Sequence, residues 1–402
     1  MSAPLSHLTV VELGEERGAA YCAQLLATYG ARVIKIEKAS GDNTRALGPF
    51  VRRADVETSV PFLWLNAGKE SVVCDVDTAA GQDIVRQLVL ASDIVIESFT
   101  PGYLEERGLS YDTLSRERRA LVMTSVTPFG QSGPYSQYTS DEIVSYATGG
   151  GMYLTGDPQR EPLNGGVPVA SYSTGMVAFF ATLSAIFAAG NTGRGDHLDI
   201  SVQEAMLDNV EIALMEHLHT GRVAKRTGDR HNLVPWRLFR CRDGFAAVIG
   251  GPIRKWLGAI DLFNEPKLAL DKFRHVAGRM AHREELEALL QPWLDEHDRA
   301  EILAAGRERG LAVGVLNQPE EVLLDAQHRA RQFFHQVDHP VAGDYLVPGE
   351  PYRFTDTPLE PRRAPLLGEH TEKVLAEDLR MPRSRLDDLV DKGVVMLQGS
   401  TA

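Results

Sequence analysis

Seven cations gather early in the chain, Arg32, Lys35, Lys38, Arg45, Arg52, Arg53 and Lys69, against Glu37, Asp42, Asp55 and Glu57. In a protein with 42 Lys and Arg against 55 Asp and Glu, this local excess can hold the phosphates of an anionic ligand through charge-assisted hydrogen bonds, or can be solvated surface. Gly14-Glu-Glu-Arg-Gly18 is a poor pyrophosphate cradle, because two carboxylates at a helix start repel phosphate. Gly250-Gly251-Pro252 reads either as a mobile glycine loop or as a bare turn. His217, His219 and His231 offer imidazoles, but His-x-His on a helix points the rings to different faces and no acid completes a ligand set, so no metal is expected.

The elements that must position these groups alternate. Strand patterns at Thr9–Leu13, Arg32–Glu37, Ser71–Asp75, Ile94–Glu97 and Leu121–Ser125 are interleaved with helical patterns near Ala19–Tyr29 and Ala79–Leu90. Continuous apolar runs such as Val-Ile-Lys-Ile and Ile-Val-Ile suit strands buried on both faces of a mostly parallel sheet. The expected fold class is α/β, a large Rossmann-like domain (residues 1–222), a small α/β domain (223–318), and a return segment with C-terminal helices (319–402) completing the large domain. The missing G-x-G-x-x-G argues against NAD. Met176–Ala189, about 14 apolar residues, is short of the roughly 20 a membrane span needs and reads as a buried helix.

A net charge of −13 disfavours general binding to nucleic acid or anionic membranes. Three scattered cysteines, Cys22, Cys74 and Cys241, encode neither a disulfide framework nor a zinc site. The acidic amino terminus does not read as a signal peptide, and a cytoplasmic setting is expected.

Six segments in order resemble the family III CoA-transferases, the group that includes formyl-CoA transferase, carnitine CoA-transferase and α-methylacyl-CoA racemase. They are Val33–Glu37 with Gly41-Asp42, Ser92–Gly102, Thr127–Pro134, Gly193–Asp199, Asp243-Gly244 and Ala364–Thr371. The resemblance implies a Rossmann-like large domain and two subunits threaded through one another like linked rings. It also implies a chemistry in which an aspartate attacks an acyl-CoA thioester. That gives a mixed anhydride and free CoA thiolate; the thiolate re-adds to form an enzyme–CoA thioester, which the acceptor acid opens.

The position matching that aspartate, three residues before Thr174-Gly175, is Ser171. A serine ester is not displaced by thiolate or carboxylate as an anhydride is, and from Glu161 to Thr174 there is no acid beyond Glu161 itself. No G-x-S-x-G elbow surrounds Ser171, whose plain reading is a helix cap. Other matching positions change as well. The family's Gly-Pro pair is replaced within Arg17-Gly18-Ala19-Ala20, a phosphate-facing arginine by Glu106 with Arg107 displaced by one, and a lysine by Thr139, while the acid Glu142 is kept. Lys38 and Phe99 match coenzyme A contacts in a weak or vestigial cleft, and Arg17, Glu142, Gly250 and Gly251 match residues that shape it. Ala364–Thr371 is expected to be structural.

The resemblance therefore implies no catalytic residue in this chain and no tightly bound cofactor. It points to the aspartate-less subunit of a heteromeric member such as succinyl-CoA:benzylsuccinate CoA-transferase, working beside a homologous catalytic subunit that carries the aspartate. Acyl-CoA and the organic acid would bind at the partner's site. The alternative is a homomeric racemase or hydrolase of acyl-CoA in which Glu142 serves as acid or base.

Overall fold

A computed structural model describes residues 2–53, 56–231, 233–250, 253–357 and 359–399. The chain forms two compact units, one of residues 1–152, 164–222 and 332–402, the other of residues 153–163 and 223–331.

The first unit is an α/β layered structure around a sheet whose main strands are β1 (Thr9–Glu12), β2 (Arg32–Glu37), β3 (Glu70–Cys74), β4 (Ile94–Glu97), β5 (Val122–Thr127) and β6 (His197–Ser201). Their order is β3-β2-β1-β4-β5-β6, all parallel, and a short strand, Val395–Met396, adds antiparallel to β3. The strand order reverses beside β1, so the loops after β1 and β4 diverge and open a crevice at the carboxyl ends of the strands. The sheet is buried on both faces. One carries Val11, Ile34, Val72, Val95 and Met123 against helix α2 (Ala79–Ala91) and the C-terminal helices; the other carries Val10, Val33, Ile94, Ile96 and Val122 against α1 (Arg17–Thr28) and the long helix at Val169–Thr192.

The carboxyl edge is held by buried ions. Lys35 on β2 reaches Glu12 on β1 at 2.8 Å and Asp42 at 2.7 Å. Lys69, just before β3, reaches the other oxygen of Glu12 at 2.6 Å and donates to the Ala20 carbonyl of α1 at 2.9 Å. Farther along, Glu37 accepts from Arg45 and from Ser71 Oγ, which itself accepts from Gly368 N. The Ala364–Thr371 segment docks on β3, where Val73 N donates to Thr371 Oγ1 and Ser71 N to His370 Nδ1.

Helix α3 (Glu142–Thr148) leads by way of residues 153–163 to α4 (Val169–Thr192). The latter is longer than the apolar pattern indicated, and by length and composition alone it could cross a membrane. It is not the buried helix expected from Met176–Ala189. Its small residues, Ala170, Ser171, Thr174, Gly175 and Ala178, are buried, whereas Phe180 is 61% and Phe187 75% exposed. The reason is geometric: the small stripe lets the start of α4 pack closely on α1, Phe179 completes the buried face, and Phe180 and Phe187 fall on the opposite one. A Cβ on Gly175 would sit 2.8 Å from the Gly18 carbonyl and 2.8 Å from the Tyr21 ring, and one on Gly18 would sit 3.0 Å from the Ser171 carbonyl.

The second unit centres on an antiparallel sheet of β7 (Trp236–Cys241), β8 (Gly244–Ile249) and β9 (Ala312–Val315), with β8 in the middle. Helices Arg283–Glu296 and Arg299–Glu308 contribute Leu286, Leu290 and Ile302 to its core, which Trp256 and Phe263 of helix Ile253–Phe263 and Phe273 complete. Residues 153–163 are tied to this unit by Arg226, which donates to the carbonyls of Tyr153 and Asp157.

In an ordinary helix interior, Gly→Ala stabilises by about 1 kcal/mol. At Gly175 the close approach reverses the sign, and we expect Gly175→Ala to destabilise the protein by about 1–3 kcal/mol in urea unfolding. A stabilised variant would show that the helices are not in tight contact there.

Candidate active-site cleft

The crevice at the carboxyl ends of the strands is a cavity of about 760 Å³. Each wall comes from a segment that follows a strand: Leu13–Arg17 after β1, Lys38 after β2, Asp75–Asp77 after β3, Ser98–Pro101 after β4 and Pro128 after β5, with Glu142 of α3 and Ser171 of α4 also lining it. The parallel sheet thus delivers five distant pieces of sequence to one place. Arg17, Lys38, Phe99, Glu142 and Ser171, all singled out from the sequence, meet here, together with Thr139. Gly250 does not line this cavity. It lies in the second unit, where a Cβ would sit 2.5 Å from Pro235 Cδ and its N–H donates to the Pro235 carbonyl, so close packing accounts for the glycine. Gly251 and Pro252 fall outside the described residues.

The chemistry sits where two helices begin. Helix α4 starts at Pro168 with no side-chain cap of its own; Glu142 supplies one. Its carboxylate accepts from Ala170 N at 2.7 Å, Ser171 N at 3.0 Å and Ser171 Oγ at 2.8 Å. Ser171 is therefore not the cap but a donor to it. Two helix amides and the Ser171 hydroxyl thus occupy the Glu142 carboxylate at the head of α4.

Glu16 caps α1 in the same way, accepting from Ala19 N at 2.9 Å. Burial lifts its carboxyl to about 7, an effect to which the nearby Glu142 charge adds and which the Ala19 and Gly18 amides oppose. Sequence reasoning read Glu16 only as a repeller of phosphate. The available signal was an acid immediately before the first helix in a Rossmann-like order, where the strand ends converge.

The early cations do not form one anion-binding surface. Lys35 and Lys69 are buried against Glu12, Arg45 pairs with Glu37, and Arg32 pairs with Glu70 and Asp378. Lys38 does face the cavity but pairs with Glu15 at 2.9 Å. Among the described lining residues are eight carboxylic side chains and only two cations, Arg17 and Lys38. Three of the eight, Glu37, Asp42 and Asp77, are offset by Arg45, Lys35 and Arg107 from outside the lining. The remainder leaves a cleft of negative sign. Arg107, displaced by one from the family position, pairs with Asp77, while Glu106 is exposed to solvent. His217 and His219 lie in the last turn of a helix, Glu211–Thr220, without a buried residue.

A sheet of this order, with a cleft built by these loops, matches known proteins over most of the chain. Residues 5–371 match the model of CoA-transferase family III. The succinate–glutarate CoA-transferase of Agrobacterium fabrum is 33% identical over 93% of this chain and 95% of its own length. The BbsE subunit of the succinyl-CoA:(R)-benzylsuccinate CoA-transferase of Thauera aromatica is 30% identical over 98% of this chain and 99% of its own length. The crystal structure of a CAIB/BAIF family protein from Brucella suis superposes with a TM-score of 0.85 at 32% identity, covering 94% of this chain and all of that one. The chain belongs to CoA-transferase family III.

Proposed function

We propose that this chain is the non-catalytic subunit of a heteromeric CoA-transferase that moves CoA between a dicarboxylic acyl-CoA, such as succinyl-CoA, and an organic acid, in the cytoplasm. The aspartate nucleophile comes from a homologous partner. The observation that carries this reading is Ser171: a hydroxyl donated to a fully engaged Glu142 carboxylate stands at the head of α4, where an acyl-accepting carboxylate is required. An acylated serine would be an ordinary ester and would end the exchange rather than pass the acyl group on. The negative cleft further disfavours the phosphates of coenzyme A at this chain's own site.

Exposed apolar side chains on α4 and on helix Glu211–Thr220 support an obligate partner. Met176, Phe180 and Phe187 are joined by Ile212, Met215 and Leu218, between 47% and 76% exposed. A surface of that kind on a stable protein is ordinarily covered by another chain. Such a subunit wraps and orients the catalytic one. The similarity to a protein that is itself called a subunit, BbsE, is in keeping with this role.

Glu16 supports a second reading. Its raised carboxyl lines one cavity with Glu142, and two carboxyl groups so placed can serve as acid and base in a homomeric racemase or hydrolase of acyl-CoA.

Purification of the tagged chain from its native cells, with mass spectrometry of whatever accompanies it, separates the two readings. We expect a stoichiometric homologue with aspartate at the position of Ser171; a homo-oligomer turning over succinyl-CoA by itself would overturn the subunit reading. Ser171→Asp places a second carboxylate against Glu142, so this variant should lose about 1–3 kcal/mol of stability and show no transferase turnover without the partner. Glu16 carries its own pH signature. Its folded value near 7 lies above the ordinary 4.5, so the folded state holds the proton more tightly, and stability falls as pH rises from about 4.5 through 7. Because the side chain is partly open to water, the loss should be about 1–2 kcal/mol, and Glu16→Gln should abolish it in urea titrations at pH 5 and 7.5.

A further inference from the structure

We propose that Asp77 is an internal competitor for the anion end of the cleft: its carboxylate holds the Arg107 guanidinium on the Tyr103 ring and so withholds it from a phosphate of coenzyme A. The inference rests on reading this cavity as the coenzyme A cleft of the family. It adds a specificity-determining residue to that reading.

The corner in question holds the parts of a nucleotide site. Phe99 and Tyr103 stack with ring centroids 4.2 Å apart and planes at 22°, a flat apolar plate of the sort on which a purine lies. The Arg107 guanidinium lies over the Tyr103 ring, 3.5 Å from its centroid. A planar guanidinium beside an aromatic plate is the arrangement that recognises phosphate next to a base.

Every arm of that guanidinium is nevertheless engaged within the chain. Arg107 Nε and Nη2 both donate to Asp77 Oδ1, at 3.0 and 2.5 Å, and Nη1 donates to the Tyr103 carbonyl at 3.0 Å. The same Asp77 oxygen receives the Tyr103 hydroxyl at 2.9 Å. One carboxylate thus occupies the guanidinium and the ring hydroxyl that a phosphate oxygen would use. These donors hold its carboxyl below the ordinary aspartate value, so it is charged at neutral pH.

Asp77 also faces the cavity and its side chain is 65% exposed. An ion pair so open to water is weak enough to be displaced. The consequence is competition, not a permanent block: a phosphate must both evict Asp77 and tolerate its charge nearby. Removing that charge while keeping its shape should release Arg107 for the ligand.

The test is calorimetric titration of the full-length chain with coenzyme A, in a double-mutant cycle over Asp77 and Arg107. Asp77→Asn should bind coenzyme A about five- to tenfold more tightly than the unaltered protein. The gain should vanish when Arg107→Ala is added, and it should shrink as salt is raised. Thermal unfolding of each variant, with Asp77→Ser as a second replacement, shows that the comparison is between folded proteins. An affinity unchanged within about twofold, a gain that survives without Arg107, or no binding of coenzyme A to any of these proteins would each overturn the proposal. These outcomes concern this chain's own cleft. The subunit reading stands or falls on the identity of the co-purifying chain, so the two failures are told apart.

Discussion

Glu12 is the fixed point of the first unit. Its two carboxylate oxygens meet Lys35 and Lys69 out of contact with water, and through them β1, β2, the approach to β3 and the first turns of α1 are tied at one edge of the sheet. Two buried cations are balanced by Glu12 and Asp42. Removing one member would leave an uncompensated charge in a poorly solvating interior, at a cost of about 3–5 kcal/mol. The arrangement therefore specifies where the carboxyl ends of the strands lie, and hence where the cleft opens. Burial is also felt by the ions themselves, since desolvation pushes Lys69 down to about 8 despite its partner Glu12.

That constraint has a chemical consequence. Lysines and arginines close to the mouth of the cleft are held in the framework, and the charged side chains left to line it are mostly acids. Helix α4 is pinned to α1 through the facing glycines, Gly18 and Gly175, which sets the head of α4 beside Glu142 and Glu16. At that head stands a serine hydroxyl, Ser171, tied to a carboxylate already engaged by the helix amides.

Much of this was legible in the order of residues. Apolar β-branched runs, each bounded by helical spacing, placed β2 and β4 to the residue and the other early strands to within one or two residues, because a strand buried on both faces leaves a continuous apolar signature. Arg17, Lys38, Phe99, Glu142 and Ser171 could be named from matching motifs, and the fold brings them to one cavity. What could not be read was partnership. Seven early cations looked alike as letters; the fold buries Lys35 and Lys69 against Glu12 and leaves Lys38 in a solvent-exposed pair with Glu15, because those pairings depend on strands that are adjacent in space only after the sheet forms. The exposed faces of Phe180 and Phe187 escaped notice for a similar reason: an unbroken apolar helix has no polar side from which to infer which face is covered.

Residue identity and local spacing carried the α/β order and the family, and they put a serine at position 171. Only the tertiary structure decided that Glu142, not Ser171, caps α4, that Glu16 is a protonatable carboxyl in the cleft, and that Asp77 holds Arg107 on Tyr103. Capping, burial and ion pairing here join residues some 26 to 30 positions apart or more, or depend on how much water the finished fold excludes, and neither property is carried by a residue and its near neighbours.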